Sequence, residues 1–229
     1  MRTIIPLSSI LLVIDESWPA KNIENRTMIK DFLIINCTGK NDSIALKINN
    51  KFFIKKLQTN LIKNERLALD IANFVKEHKI ILNSDFSTII NTGPGSFSGV
   101  RISLAVAKGI QIVKKTNTYS YNNFLLNASA YLTEKKQIFS LYKTNKFYYY
   151  CKGTFKTGYH FTSPEKIDLK ILQSPGSLFI IPDEIKNDEI IKNINPARIR
   201  IAQFDLKNID LLIKNKLIEN KLIKPLYLS

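Results

Sequence analysis

Residues 86–113 read FSTIINTGPGSFSGVRISLAVAKGIQIV. The segment passes from a short apolar run, typical of a buried strand, into a loop rich in glycine and then into apolar residues at helical spacing. Three glycines and a proline between a strand and a helix predict a tight turn whose backbone approaches another surface closely. We call residues 93–101 the glycine-rich loop. Its candidate site residues are Gly93, Pro94, Gly95, Ser96, Phe97, Gly99 and Arg101.

The glycine-rich loop has two interpretations. The start of the following helix favours an anion, but a Walker A loop ends in Gly-Lys-Ser/Thr, whereas Gly99 precedes Val100 and Arg101. A dinucleotide fingerprint needs a third glycine where Ser98 stands. Arg101 is expected in the first helical turn, where the macrodipole disfavours a cation, so we expect a partner or an acidic neighbour for it. Spacing alone leaves a functional loop and a purely structural turn open.

Two helices are predicted on either side of this strand and loop, over residues 64–79 and from residue 99 to about residue 115. In the second helix Gly99, Ser103 and Ala107 form a column of small residues, beside an apolar stripe. Such a column lets another helix pack closely, either within the chain or in a partner. We predict a surface made of both helices. Its candidate partner-binding residues are Leu67, Ile71, Phe74, Ile102, Ser103, Val106, Ala107 and Ile110.

The rest of the chain has the pattern of an α/β protein. Strands are predicted at residues 32–35, 43–48 and 52–56, with Asn49-Asn50 as the turn of a hairpin. The order β-β-β-α-β-α implies a mixed sheet with helices. The second half is less regular: a helix over 124–133, a hairpin of 137–142 with 146–152, a strand at 178–181, a helix over 206–216 and an extended tail.

Composition excludes several classes of protein. The chain has 229 residues, 45% hydrophobic and 23% charged, which excludes a disordered chain. No apolar run is long enough for a membrane helix. Cys37 and Cys151 cannot build a disulfide framework, and no Cys/His cluster offers a metal site. We therefore expect a cytoplasmic protein with no membrane association.

The charge is strongly basic and unevenly distributed. Lys and Arg number 34 against 19 Asp and Glu, a net charge of +15. Residues 1–27 carry equal numbers of both signs, so the excess lies in residues 28–229. It suggests a polyanion partner such as RNA, or only the Lys-rich composition of an AT-rich genome. Because Met28 precedes the first good strand, we expect it to be the natural start, with residues 1–27 a non-native or disordered extension.

Residues 93–109 (GPGSFSGVRISLAVAKG) closely resemble the signature of the bacterial TsaB family, usually GPGSFTGLR followed by IGxAxAKGLA. Residues 32–46 (FLIINCTGKNDSIAL) resemble its opening strand and hairpin, ILAIDTSTxxxSVAL. Residues 139–150 occupy the place of its DARxxEVY hairpin, and residues 224–228 (KPLYL) resemble its closing PxYLR. The resemblance spans residues 28–229 and is most specific over 85–113.

The resemblance implies an α/β fold of the actin/Hsp70-like class with two mixed-sheet subdomains, the second reduced. We expect an N-terminal Gcp-like subdomain over residues 28–117 and a smaller C-terminal one over 118–229. It also implies a non-catalytic partner of TsaD, the enzyme that transfers a threonylcarbamoyl group to adenosine 37 of tRNA. In the family the two helices join TsaD, and the ATPase TsaE binds the assembled pair. tRNA is then met through the complex, and a homodimer is a further alternative.

The departures from the family favour a scaffold over an enzyme. Asn36 replaces the family's strand-one Asp, and in actin-like ATPases a carboxylate at that turn helps organise metal and phosphates. His78 and His160 are too far apart in sequence for the TsaD metal site. We therefore expect no cofactor in this chain, with ATP and metal on partner subunits. The alternative is a nucleotide-binding actin-like protein that uses residues 93–101.

Overall fold

The structure is a computed structural model that describes residues 29–39, 41–58, 63–220 and 223–228. Its first half is a five-stranded sheet in the order β3-β2-β1-β4-β5. The strands are β1 (Phe32–Asn36), β2 (Ser43–Ile48), β3 (Lys51–Lys56), β4 (Ser87–Asn91) and β5 (Asn117–Tyr121). Two long helices complete this half, α1 (Lys63–Glu77) between β3 and β4, and α2 (Phe97–Lys114) between β4 and β5.

The centre of the first sheet follows from its sequence. Every residue of β1 and β4 is buried, and the two strands pair in parallel, as near-continuous apolar strands do when both faces are covered. β2 and β3 form the predicted hairpin. Its turn residues Asn49 and Asn50 have φ values of 48° and 63°, a region that asparagine tolerates better than most residues.

The second half repeats the topology of the first. Its sheet has the order β11-β10-β6-β7-β8, with β9 also paired to β7. The strands are β6 (Ile138–Lys143), β7 (Tyr148–Phe155), β8 (Tyr159–Phe161), β9 (Glu165–Lys166), β10 (Leu178–Pro182) and β11 (Ile199–Ala202). In both sheets an antiparallel meander of three strands is extended by two parallel strands. This arrangement confirms the expected α/β fold with two mixed sheets.

The helices of the second half are much shorter. α4 (Leu169–Leu172) and α5 (Glu189–Lys192) have four residues each, against 15 in α1 and 18 in α2. The two remaining helices are α3 (Asn123–Ala128) and α6 (Ile209–Lys214). The second subdomain is therefore reduced mainly in its helices, while its sheet is complete.

The apolar core has layers that follow the sheets. One cluster joins the inner faces of both sheets through α3 and α6, with Ile34, Ile89 and Ile180 fully buried. A second cluster lies on the other face of the first sheet under α1 and α2. Tyr150 packs on the outer face of the second sheet and Tyr149 on the opposite one, as strand alternation predicts.

The ends of the two halves are interlocked. The predicted boundary between residues 117 and 118 falls inside β5, which pairs with β4. The chain then returns: Glu219 bridges to Ser120, and the Leu226 amide donates to the Thr92 carbonyl at 2.8 Å. The predicted extension, residues 1–27, lies outside the described residues. In the part of the chain that the structure describes, no helix has the length and apolar character needed to cross a bilayer.

Candidate functional site

The glycine-rich loop packs directly against the turn that follows β1. A Cβ on Gly95 would collide with the carbonyl oxygen of Thr38, and one on Gly99 with that of Cys37. Gly93 has a φ of 101°, a backbone conformation that side chains disfavour. The glycine pattern is therefore explained by close packing within the chain.

Several amides of this loop donate hydrogen bonds within the protein. The Ser96 amide donates to the Thr38 carbonyl at 2.7 Å, and the Gly93 amide donates to Oδ1 of Asn91 at 2.9 Å. Ser96 caps α2 by accepting from the Gly99 amide at 3.3 Å. A phosphate cradle relies on free backbone amides. These internal hydrogen bonds favour the structural interpretation of the loop over the nucleotide-binding one.

Three asparagine side chains form a hydrogen-bond network that supports the glycine-rich loop. The Nδ2 of Asn91 donates to Oδ1 of Asn36 and to Oδ1 of Asn123, both at 2.6 Å. Asn123 donates in turn to the Pro94 carbonyl at 2.6 Å, and Asn36 to the Asn41 carbonyl at 3.0 Å. Asn36 and Asn91 are fully buried. These hydrogen bonds join uncharged side chains, so Asn36 acts here as a structural hydrogen-bonding residue.

Arg101 has an aromatic neighbour. Because α2 begins at Phe97, Arg101 lies beyond the first helical turn in which it was predicted, and the macrodipole opposes its charge less. Its guanidinium lies 5.1 Å from the centre of the Phe97 ring. Tyr227 of the C-terminal tail stacks on the same ring, with the centroids 5.1 Å apart. Across the described residues no acidic group pairs with Arg101, so the expected acidic neighbour is not found there.

The two long helices enclose an apolar groove on the surface. The groove has a volume of about 570 Å³. Ile81 at its rim is 82% exposed and Val113 is 72% exposed, while Gly109 leaves open space above the helix. We call this surface the helical groove. It is lined by Ala68, Ile71, Ala72, Val75, Ile80, Ile81, Leu82, Val106, Gly109, Ile110, Val113 and Lys114.

The predicted partner-binding residues divide into two groups. Ile71, Val106 and Ile110 line the helical groove. The others do not line it, and most of them belong to the chain's own core. Leu67, Phe74, Ser103 and Ala107 are buried, and Ile102 packs partly buried against the same core.

The physical reason is the direction of the small-residue column. Ser103 donates to the Gly99 carbonyl, and Ala107 has no exposed surface, so this column faces the first sheet. Ser103 and Ala107 are therefore buried within the chain and are not part of its exposed surface, and partner binding through the other candidates stays a prediction. The candidate partner-binding residues did not include Ala68, Ala72 or Gly109, although small residues four apart on a helix, such as Ala68 and Ala72, signal such a face.

Ionisable groups outside the glycine-rich loop and the helical groove have structural roles. Asp188 accepts from Nζ of Lys143 and from the hydroxyl of Tyr148, each at 2.7 Å, beside the turn of the β6–β7 hairpin. The hydrogen bond from Lys143 lowers the pKa of Asp188. Burial raises the pKa of Cys151 to about 12, and burial also raises the pKa of Tyr121. Within the described ranges, no three His, Cys, Asp or Glu residues are grouped as metal ligands.

The chain was compared with known proteins. No family model matches it, and no curated protein matches it. Solved structures do match it, and two of them share most of its length. YeaZ from Pseudomonas aeruginosa superposes with a TM-score of 0.63 at 14% identity, covering 87% of this chain and all of YeaZ. An uncharacterized protein with similarity to the peptidase YeaZ from Pseudomonas aeruginosa gives a TM-score of 0.64 at 13% identity, with 88% and 100% covered.

YeaZ is the Pseudomonas name for TsaB, so the fold comparison agrees with the family whose signature residues 93–109 resemble. The identities are low, and the comparison concerns the arrangement of the backbone. From the two repeated sheets and these superpositions, the chain has the actin/Hsp70-like α/β fold of YeaZ.

Proposed function

We propose that this chain is a non-catalytic scaffold subunit that binds TsaD and activates it for threonylcarbamoylation of adenosine 37 in tRNAs reading ANN codons. The observation that carries the proposal is the helical groove, an exposed apolar face built by the only two long helices of the described chain. Soluble monomers rarely leave a contiguous apolar face in water unless it serves an interaction.

The groove has the features of a helix-docking surface. Ile81 and Val113 are exposed, and burying an aliphatic side chain of this size contributes about 1.5–3 kcal/mol. Ala72 and Gly109 keep the floor between the helices low, so that a partner helix can approach closely. The matching partner surface is an apolar helix pair, which would complete a four-helix arrangement.

The identity of the partner rests on the sequence resemblance of residues 93–109, with the YeaZ-like fold as support. We propose TsaD as the occupant of the groove and a second copy of this chain as the competing occupant. TsaE would join the assembled pair, ATP and metal would be held by partner subunits, and tRNA would be met through the complex. We place this assembly in the cytoplasm.

The competing function, nucleotide binding by the glycine-rich loop, has less support. The amides of Gly93, Ser96 and Gly99 donate within the chain, and the network around Asn91 is neutral. Equilibrium dialysis of the full chain with ATP separates the two functions. The scaffold proposal expects no tight site in the chain alone, and saturable tight binding would favour the alternative.

The direct test is a titration of the full chain against TsaD of the same organism, followed by co-elution and calorimetry. We expect a stable one-to-one pair whose formation has a negative heat-capacity change, because apolar surface is buried. The absence of a complex with folded TsaD, in the presence and absence of nucleotide, would contradict the proposal. A self-association that TsaD does not displace would assign the groove to a second copy.

A further inference from the structure

A second surface runs along α2, next to the helical groove. Phe97 is 54% exposed and Tyr227 is 55% exposed, although the two rings stack on each other. Arg101 is exposed with its guanidinium over Phe97. Two exposed aromatic rings and a guanidinium plane thus stand together at the start of α2.

The same face of the helix is basic along its length. Arg101 and Lys108 are seven residues apart and lie on nearly one face of α2, and Lys115, the left-handed C-cap, follows seven residues later at the end of the helix. All three residues are exposed. The 18 residues of α2 include no Asp or Glu, so no carboxylate of the helix itself offsets the charge. Their spacing places about 10 Å between successive cations along the axis.

This face is distinct from the helical groove. Val106, Gly109 and Val113 line the groove, and at about 100° per residue they lie roughly a third of a turn away from the basic face. A partner in the groove therefore leaves the basic face open. Neither surface includes the buried column of Ser103 and Ala107, which faces the first sheet.

We propose that Phe97, Arg101, Lys108, Lys115 and Tyr227 form a binding surface for single-stranded RNA. Aromatic rings and guanidinium planes stack on unpaired bases with little sequence preference. A line of cations beside them follows a phosphate backbone, and the net charge of +15 draws a polyanion toward the chain. An acidic protein would be attracted by the charge, but it has no comparable use for the stacked rings.

The outer face of Tyr227 is the stacking platform in this arrangement. Phe97 contacts both Tyr227 and Arg101, so it fixes the two groups relative to each other. Leu226 anchors the tail beside Tyr227, because its backbone amide donates a hydrogen bond to the Thr92 carbonyl. The platform is therefore preorganised in the free chain.

The test is fluorescence anisotropy of the full chain with labelled single-stranded oligouridine, and with double-stranded RNA of the same length, over a range of salt concentrations. We expect tighter binding of the single strand and an affinity that falls as salt rises. Tyr227→Ala should weaken binding roughly 5- to 150-fold, the range for loss of one stacked base, with little change in salt dependence. Tyr227→Phe should bind as the wild type does.

Arg101→Gln should weaken binding and reduce the salt slope by roughly 0.7, the value for one phosphate contact on a single strand. Matched controls are Phe204→Ala and Lys192→Gln, which remove an exposed aromatic and an exposed cation elsewhere. Equal effects of the controls, or no binding of oligouridine, would overturn the proposal.

The same variants are then titrated with TsaD, so that a failure of the RNA proposal can be distinguished from a failure of the TsaD proposal. We expect TsaD binding to be unchanged, because the helical groove is untouched. If Tyr227→Ala and Arg101→Gln lose TsaD and keep RNA, the surface is a protein-docking site and the RNA proposal is wrong. Loss of RNA binding alone supports it, whether or not TsaD occupies the groove.

Discussion

Gly109 offers the sharpest test of the helical groove. It lies in the interior of α2, and a Cβ placed on it meets no atom within 4 Å. The isolated chain therefore has no packing reason for a glycine at this position. A glycine in a helix interior costs about 1 kcal/mol relative to alanine, so the position is locally unfavourable unless a partner needs the space.

Two substitutions separate stability from binding. Gly109→Ala should raise the free energy of unfolding by about 0.5–1 kcal/mol, which corresponds to roughly 1–4 °C in Tm for a chain of this size. Gly109→Trp should leave the fold intact. Its indole should fill the floor of the groove in either orientation, pointing away from α2 or packed between Val75 and Val113. Overfilling a packed contact costs about 1–3 kcal/mol. TsaD should therefore bind about 5- to 150-fold more weakly.

The assay is calorimetric titration of each variant with TsaD, after circular dichroism and thermal unfolding of the variant alone. Ile112→Trp is the matched control, since Ile112 lies on the same helix, is 57% exposed and does not line the groove. Wild-type affinity of Gly109→Trp with an intact fold would refute the assignment of this face. A lower Tm of Gly109→Ala would refute the claim that the space above Gly109 is open in the free chain.

Three further predictions concern the interior and the hairpin. Asn91→Ala should destabilise the chain by about 1–3 kcal/mol or more in urea unfolding, because Asn36 and the Gly93 amide lose a buried partner; an unchanged midpoint would contradict the role of the network. Cys151 should resist thiol reagents at neutral pH in the native chain, because burial holds its pKa near 12, and should react after unfolding; fast native labelling would show that it is accessible. Asp188 has a lowered pKa beside Lys143, so its contribution to stability is complete above the ordinary aspartate range, about pH 4, and is lost as the pH falls through the lower folded-state value. Lys143→Met should reduce this loss of stability at low pH, measured as the unfolding midpoint over a range of pH. An unaltered dependence on pH would show that the pair of Lys143 and Asp188 is not its cause.

Local sequence signals predicted the elements of the first sheet well. The Asn49-Asn50 turn, the apolar runs of β1 and β4 and the apolar periodicity of α1 each have a local physical cause. β5 was different. Its sequence, residues 117–121, is the largely polar NTYSY and contains the predicted subdomain boundary, yet it pairs in parallel with β4. A strand of this kind is stabilised by its neighbours more than by its own apolar content.

The candidate site shows where sequence reasoning stops. Residues 93–101 identify the loop, but only contacts distant in sequence explain it: Thr38 and Cys37 exclude a side chain at Gly95 and Gly99. Contacts distant in sequence also decide which residues of the two long helices are exposed, because they fix the rotation of each helix about its axis. A column such as Ser103 and Ala107 indicates close packing, and the sequence cannot say whether a sheet or a partner supplies the other side.

The unequal helices of the two repeated halves determine the valence of the molecule. Each sheet has the same strand order, but only the first carries helices of 15 and 18 residues. Two equivalent helical faces on one chain would make it divalent, and a divalent unit whose contacts do not close grows into an open polymer. With four-residue helices on its second sheet, the described part of the chain presents a single face of this type. An assembly formed through that face is complete when one partner has bound. The short helices of the second half therefore make the chain a unit that ends an assembly, whereas two long helical faces would let it extend one.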